Sequence, residues 1–180
     1  MILTRTVAPA TEPVTLIEAK AHLGVTISDD DARIQALITA ARERAESYMQ
    51  KSLVSQTWSA KFDSFPLIDS IRLPGPLLSI TSVGYTDEDG EAQTFTGYTL
   101  DAAGGRILLD YEAEWPDTRD IENAVTITFV AGYTTVPESI KAAIKLQIEL
   151  MYDRPDVGYA SALTSSISSL LGFYRDVRRL

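Results

Sequence analysis

The 180-residue chain contains no cysteine and a single histidine, His22. The first absence removes disulfide scaffolds, thiolate zinc sites and cysteine nucleophiles together. The second leaves any Ser-His-Asp triad or multi-histidine metal site to be built around one residue. Basic residues are scarce too: 16 against 25 acids, for a net charge of −9 and an isoelectric point near 4.6. A chain of that charge repels phosphates, which argues against wrapping DNA or RNA. No apolar run approaches a membrane span, and the first residues lack the apolar core of a signal peptide. A soluble protein made in the cytoplasm is therefore expected. Apolar residues at 45% and charged residues at 23% suit a globular fold of one domain, with room for a small appendage.

Residues 1–13 contain Pro9 and Pro13 without periodicity and read as an extended arm. Thr15-Leu16-Ile17-Glu18 is a capping box, which opens a short helix that Gly24 stops. Ser28 is placed to cap a second helix, with Asp29, Asp30 and Asp31 in its dipole-matched first turn. Ile34, Leu37, Ile38, Ala41, Ala45 and Tyr48 then recur at helical spacing to about residue 50, with Arg33, Arg42, Glu43, Arg44 and Glu46 filling the other face. From 53 to 130 the pattern changes to short strands, predicted at 53–62, 68–73, 78–85, 93–98, 106–110 and 124–130. Asp89-Gly90 reads as a hairpin turn with positive φ at both central positions, and Gly104-Gly105 as a second turn. Thr135-Val136-Pro137-Glu138 is a second capping box, opening a long helix with Ile140, Ile144 and Ile148 that ends near Pro155. Residues 156–170 are rich in Ser, Ala and Gly and read as a linker. This order predicts an α+β fold: a helical body of two N-terminal helices and one long later helix, an inserted block of short antiparallel strands, and a C-terminal tail. Ile34, Leu37, Ile38 and Ala41 are expected to pack against Ile140, Ile144 and Ile148.

No catalytic, cofactor or metal site emerges. Asp87-x-Asp89-Gly90 has the look of a calcium-loop centre, but that frame places Tyr85 and Thr96 where acids belong. His22 has no nucleophile motif to serve, and a structural role is the simpler reading. The acids at 29–31 suit a solvated first turn better than a cation site. Trp58 and Trp115 could line a sugar-binding surface, although aromatics on strands and beside prolines more often belong to a core.

The C-terminus is different. Residues 171–180 carry Arg175, Arg178 and Arg179 against Asp176, so this end has a net charge of +2 and the rest of the chain −11. Phe173, Tyr174 and Leu180 interleave with the arginines, and these residue types are enriched at interface hot spots. A docking tail competes on equal terms with a frayed terminus.

Several segments, taken in order, resemble one family. They are Leu16-Ile17-Glu18-Ala19-Lys20-x-His22-Leu23, Asp29-Asp30-Asp31, Leu37-Ile38-x-Ala40-Ala41-x-Glu43, Gln56-Thr57-Trp58, Leu73-Pro74-Gly75-Pro76-Leu77, Tyr85-x-Asp87-x-Asp89-Gly90, Ala131-Gly132-Tyr133 and Val136-Pro137. The set is similar to the head–tail connector (adaptor) proteins of long-tailed phages, prophages and gene transfer agents. The resemblance implies a structural, non-catalytic virion protein without cofactor or metal, located in the neck of the particle. It implies a ring, often twelvefold, between the portal protein and the tail-side neck (stopper) protein, with double-stranded DNA passing through the channel without specific binding. It further implies one connector domain over residues 1–155, with helices at about 15–50 and 136–154 and a β-block at about 53–130 that meets ring neighbours. The resemblance covers about residues 14–155; beyond it, composition and charge alone make residues 156–180 a linker and docking tail, with Phe173, Tyr174, Arg175, Arg178, Arg179 and Leu180 as portal-docking residues that do not fold back on their own subunit. The competing function is a small β-rich carbohydrate-binding or accessory module using Trp58 and Trp115. A hydrolase built on His22 is a weaker third reading.

Overall fold

The structure, a computed structural model, describes residues 1–153 and 155–176. In chain order the elements are β1 (Ile2–Val7), α1 (Leu16–Leu23), α2 (Asp31–Met49), β2 (Gln56–Phe62), β3 (Ser70–Arg72), β4 (Leu77–Thr86), β5 (Ala92–Thr94), β6 (Tyr98–Asp101), β7 (Arg106–Leu109), β8 (Val125–Ala131), α3 (Glu138–Asp153) and α4 (Val157–Gly172). The fold is α+β, as the sequence pattern predicts. The chain divides into two compact units. Met1–Ala10 and Ser55–Thr134 form a sheet unit; Thr11–Val54 and the described residues between 135 and 176 form a helical unit.

In the helical unit the first capping box is in place. The Glu18 amide donates to Thr15 Oγ1 at 3.2 Å, and the Thr15 amide donates back to Glu18 Oε2 at 2.7 Å. That backbone amide, with the Thr15 hydroxyl, holds the Glu18 carboxyl below its ordinary value. Gly24 closes α1 in the left-handed region, φ 69°, donating to Lys20 O. Ser28 does not cap α2. Asp30 holds the N-cap position without a side-chain cap, because its carboxylate accepts from the Tyr152 hydroxyl at 2.7 Å. α3 likewise begins at Glu138, with Ile140 and Lys141 donating to Pro137 O, so its first turn closes at Pro137 and not at Thr135.

Ile34, Ile38, Ala41, Ala45 and Met49 of α2 and Ile140, Ala143, Ile144 and Ile148 of α3 are buried where the two helices pack. Leu37, expected in that core, is only half-buried. Arg42, expected on the solvent face, is 3% exposed and paired with Glu12 and Glu46, each at 2.8 Å. The stretch read as a linker is α4. Its N-cap Asp156 accepts from the Tyr159 amide at 3.0 Å, and Leu163, Ile167 and Leu171 are buried as it packs on α3 and α2.

The sheet unit holds a five-stranded antiparallel sheet, ordered β1-β2-β8-β4-β5, and a three-stranded sheet, β3-β7-β6. The extended arm expected at the N-terminus is the edge strand β1, with Leu3 opposite Ala60. β8 alternates strictly, burying Val125, Ile127, Phe129 and Ala131. These pack with Ala60, Val83, Leu73, Ile71 and Ile107 as the core of the unit. The Asp87–Gly90 turn closes through Gly90 N–H to Asp87 O at 3.0 Å. Only Gly90 has positive φ there, 93°, so the turn is not the two-residue type expected.

Two predictions follow from the helical packing. Ile144→Ala, at a fully buried site, lowers unfolding free energy by about 2–5 kcal/mol in chemical denaturation, whereas Leu37→Ala costs less because its site is open. The Glu18 carboxylate is held below its ordinary value of 4.5, so its stabilisation is complete above that pH and disappears as pH falls through the depressed value. Glu18→Gln therefore lowers the melting temperature at pH 7, and the gap to wild type narrows as pH falls through the acid range below 4.5.

Candidate functional site

Of the titratable groups that drew attention in the sequence, His22, Asp30, Asp31 and Asp87 are engaged in structural contacts. His22 Nε2 lies 2.9 Å from Glu149 Oε2, and the Tyr159 hydroxyl donates to Glu149 Oε1 at 2.6 Å. Glu149 of α3 thus links α1 to α4, and its acceptance of that bond raises the Tyr159 phenol above its ordinary value. Asp31 pairs with Lys20. Asp87 accepts from Gln93 Nε2 at 2.9 Å and from the Glu91 amide at 2.8 Å. Those bonds depress its carboxyl and turn it toward the chain of its own hairpin. Among the described residues no group of three or more His, Asp or Glu side chains is arranged to hold a metal ion.

Both tryptophans are partly buried against the core of the sheet unit. Trp58 packs against the sheet core. Trp115 stacks on Phe65 at 4.9 Å with an interplanar angle of 8°, and its indole donates to Ile68 O at 2.9 Å. Phe65 is the centre of this cluster, also touching Tyr85 at 5.8 Å and Phe95 at 6.0 Å. The sequence did not single out Phe65. Its partners lie 20 to 50 residues away, and only a sheet brings them together.

The docking candidates divide into three groups. Phe173 is 89% exposed at the end of α4, in edge contact with Tyr174 at 5.3 Å. Tyr174 and Arg175 instead lie on their own helical unit. The Tyr174 and Ser139 hydroxyls share a 2.8 Å hydrogen bond, and the Arg175 guanidinium sits 5.4 Å from the Tyr48 ring centre. Asp176 N–H then donates to Met49 O at 3.0 Å. The last carbonyls of a helix have no acceptor role inside it, so the end of α2 offers a ready partner to this segment. Through residue 176 the chain therefore does fold back, contrary to the expectation from sequence. Arg178, Arg179 and Leu180 lie outside the described residues.

This division predicts a contrast. Tyr174→Phe lowers stability by about 0.5–1.5 kcal/mol through loss of the Ser139 bond, while Phe173→Ala changes it by less than about 0.5 kcal/mol. Paired thermal melts of the two variants measure the difference.

Residues 13–74 match the family model of phage gp6-like head–tail connector proteins. No curated protein matches the chain in sequence. Among solved structures, a chain from the neck of an empty gene transfer agent particle, computed with C6 symmetry, superposes with a TM-score of 0.82 at 24% identity. A chain from the virion of a native gene transfer agent particle gives 0.81 at 23% identity. A chain from the neck of a native particle, computed with C12 symmetry, gives 0.80 at 25% identity. Each superposition covers 100% of this chain and 98% of the other. Residues 13–74 thus carry the sequence signature of the phage gp6-like head–tail connector family, on a fold that the whole chain shares with chains of gene transfer agent necks and virions.

Proposed function

We propose that this chain is a head–tail connector (adaptor) subunit in the neck of a phage-like particle. It assembles as a ring on the portal protein and presents its other side to the tail-side neck (stopper) protein. Double-stranded DNA passes through the channel without specific binding. The observation that carries the reading is the full-length likeness to a chain of a native gene transfer agent neck, at 25% identity. The C12 symmetry with which that neck was computed supports a twelvefold ring. Charge supports it as well: residues 1–170 carry −11, and a wall of that sign does not hold DNA phosphates as they slide past. The sheet and helical units act together as one connector subunit, with the sheet unit meeting ring neighbours.

In this reading the C-terminal residues attach the ring to the portal. Phe173 supplies an exposed anchor, and Arg175, Arg178, Arg179 and Leu180 supply carboxylate-pairing groups and a terminal apolar contact. Tyr174 orients the segment from its bond to Ser139. DNA contact is a weaker use for the same arginines, since three cations anchor poorly against salt.

Mixing the chain with purified portal rings and weighing the complexes by mass photometry tests the function. The expected product is a portal ring with a full complement of connector subunits, and a chain that never joins the portal contradicts the proposal. Deleting residues 171–180 separates the docking claim from the ring claim: attachment to portal is expected to fall at least tenfold. Equal attachment by the truncated and full chains refutes the tail's role while leaving the connector assignment intact.

A further inference from the structure

The sheet unit carries a groove unrelated to the C-terminal segment. Its walls are the loop before β3 and the loop between β7 and β8, lined by Phe65, Pro66, Leu67, Leu109, Trp115 and Pro116. Three acids, Asp69, Glu114 and Asp117, and the hydroxyls of Ser64 and Thr118 also face it. The walls are fixed to each other by the Trp115 indole bond to Ile68 O at 2.9 Å and by the Phe65–Trp115 stack. Leu67 projects completely into solvent and Ile68 is 64% exposed. Among the described residues none of the three carboxylates has an ion-pair partner. The loop they come from is acidic throughout: residues 110–122 hold six acids and one base, Arg119.

We propose that this groove docks an extended polypeptide segment of another protein, one that carries arginine next to an aliphatic or aromatic anchor. Charge complementarity decides the class. Three carboxylates around an apolar floor repel DNA and acidic peptides, and they outnumber the two hydroxyls of the lining, Ser64 and Thr118, so a cationic ligand is favoured over a neutral polar one. A guanidinium answers both parts of the lining, since it pairs with carboxylates in a planar fork and lies flat on aromatic faces. Leu67 and the Trp115–Phe65 stack receive the neighbouring apolar side chain. The walls are already tied together, so little ordering is required of the groove when the segment binds. The inference does not depend on the neck assignment, because every residue it uses belongs to the sheet unit.

Fluorescence polarisation with the full chain and a labelled peptide GRLRFRG tests it, with GELEFEG and GRSRSRG as controls. The expected result is binding by GRLRFRG with a Kd at or below about 100 µM and at least tenfold weaker binding by both controls. The combined Asp69→Asn, Glu114→Gln and Asp117→Asn variant is expected to weaken binding at least tenfold, and Leu67→Ser at least fivefold. An equal change of charge elsewhere in the unit, Glu88→Gln, Asp89→Asn and Glu91→Gln, is expected to alter it less than threefold. All these side chains are exposed, and circular dichroism melts check that the variants fold. The proposal is overturned if GRLRFRG does not bind, if both triple variants weaken binding equally, or if Leu67→Ser has no effect. It is also overturned if the free chain self-associates through Leu67, which would make the groove a contact between copies.

Discussion

The Arg42 guanidinium sits inside the helical unit, 3% exposed, between the carboxylates of Glu12 and Glu46. A cation at that depth costs several kcal/mol of lost hydration, which only close, well-oriented carboxylates offset. Both carboxylates have a further task. Glu12 accepts from the Thr39 hydroxyl at 2.8 Å, and Glu46 accepts from the Leu53 amide at 2.8 Å. One side chain on α2 therefore holds the segment that precedes α1 and the turn that follows α2. Those are the stretches through which the chain passes into and out of the helical unit. Loss of either carboxylate would leave a buried charge short of a partner in the helical unit that also holds the isoleucine core of α2 and α3, at a cost of about 3–5 kcal/mol.

The two units are stabilised by different means. The helical unit combines an aliphatic core with polar links between elements: the Arg42–Glu12 ion pair and the hydrogen bonds of His22 with Glu149 and Tyr152 with Asp30. The sheet unit relies on a strictly alternating central strand and an aromatic cluster centred on Phe65. Its acidic loops are left with few internal cations, so their charge is turned outward. This arrangement suits a subunit of a larger assembly, where one unit gives rigidity and exposed loops meet partners.

Local patterns in the sequence are legible where a residue and its partner are close in the chain. The Thr15–Glu18 capping box, the isoleucine stripe of α3 and the alternation of β8 all fall in this class. α4 was hidden by composition. Its Ser, Ala and Gly residues suggest a linker, yet Leu163, Ile167 and Leu171 keep a four-residue spacing behind an Asp156 cap. β1 was obscured by the prolines that follow it, although its pairing with β2 is regular up to one bulge. Arg42 was assigned to solvent because amphipathic patterns treat every charge alike. Nothing local marks Glu12, 30 residues earlier, as its partner. The same distance effect concealed the Phe65 cluster and the fold-back of Tyr174 onto Ser139.

The central claim is that this chain joins head to tail, and its removal tests that most directly. Electron microscopy of particles from cells lacking the gene is predicted to show heads and tails that accumulate separately, with joining restored when the chain is supplied in trans. Joined, tailed particles forming at normal yield without the chain would contradict the account.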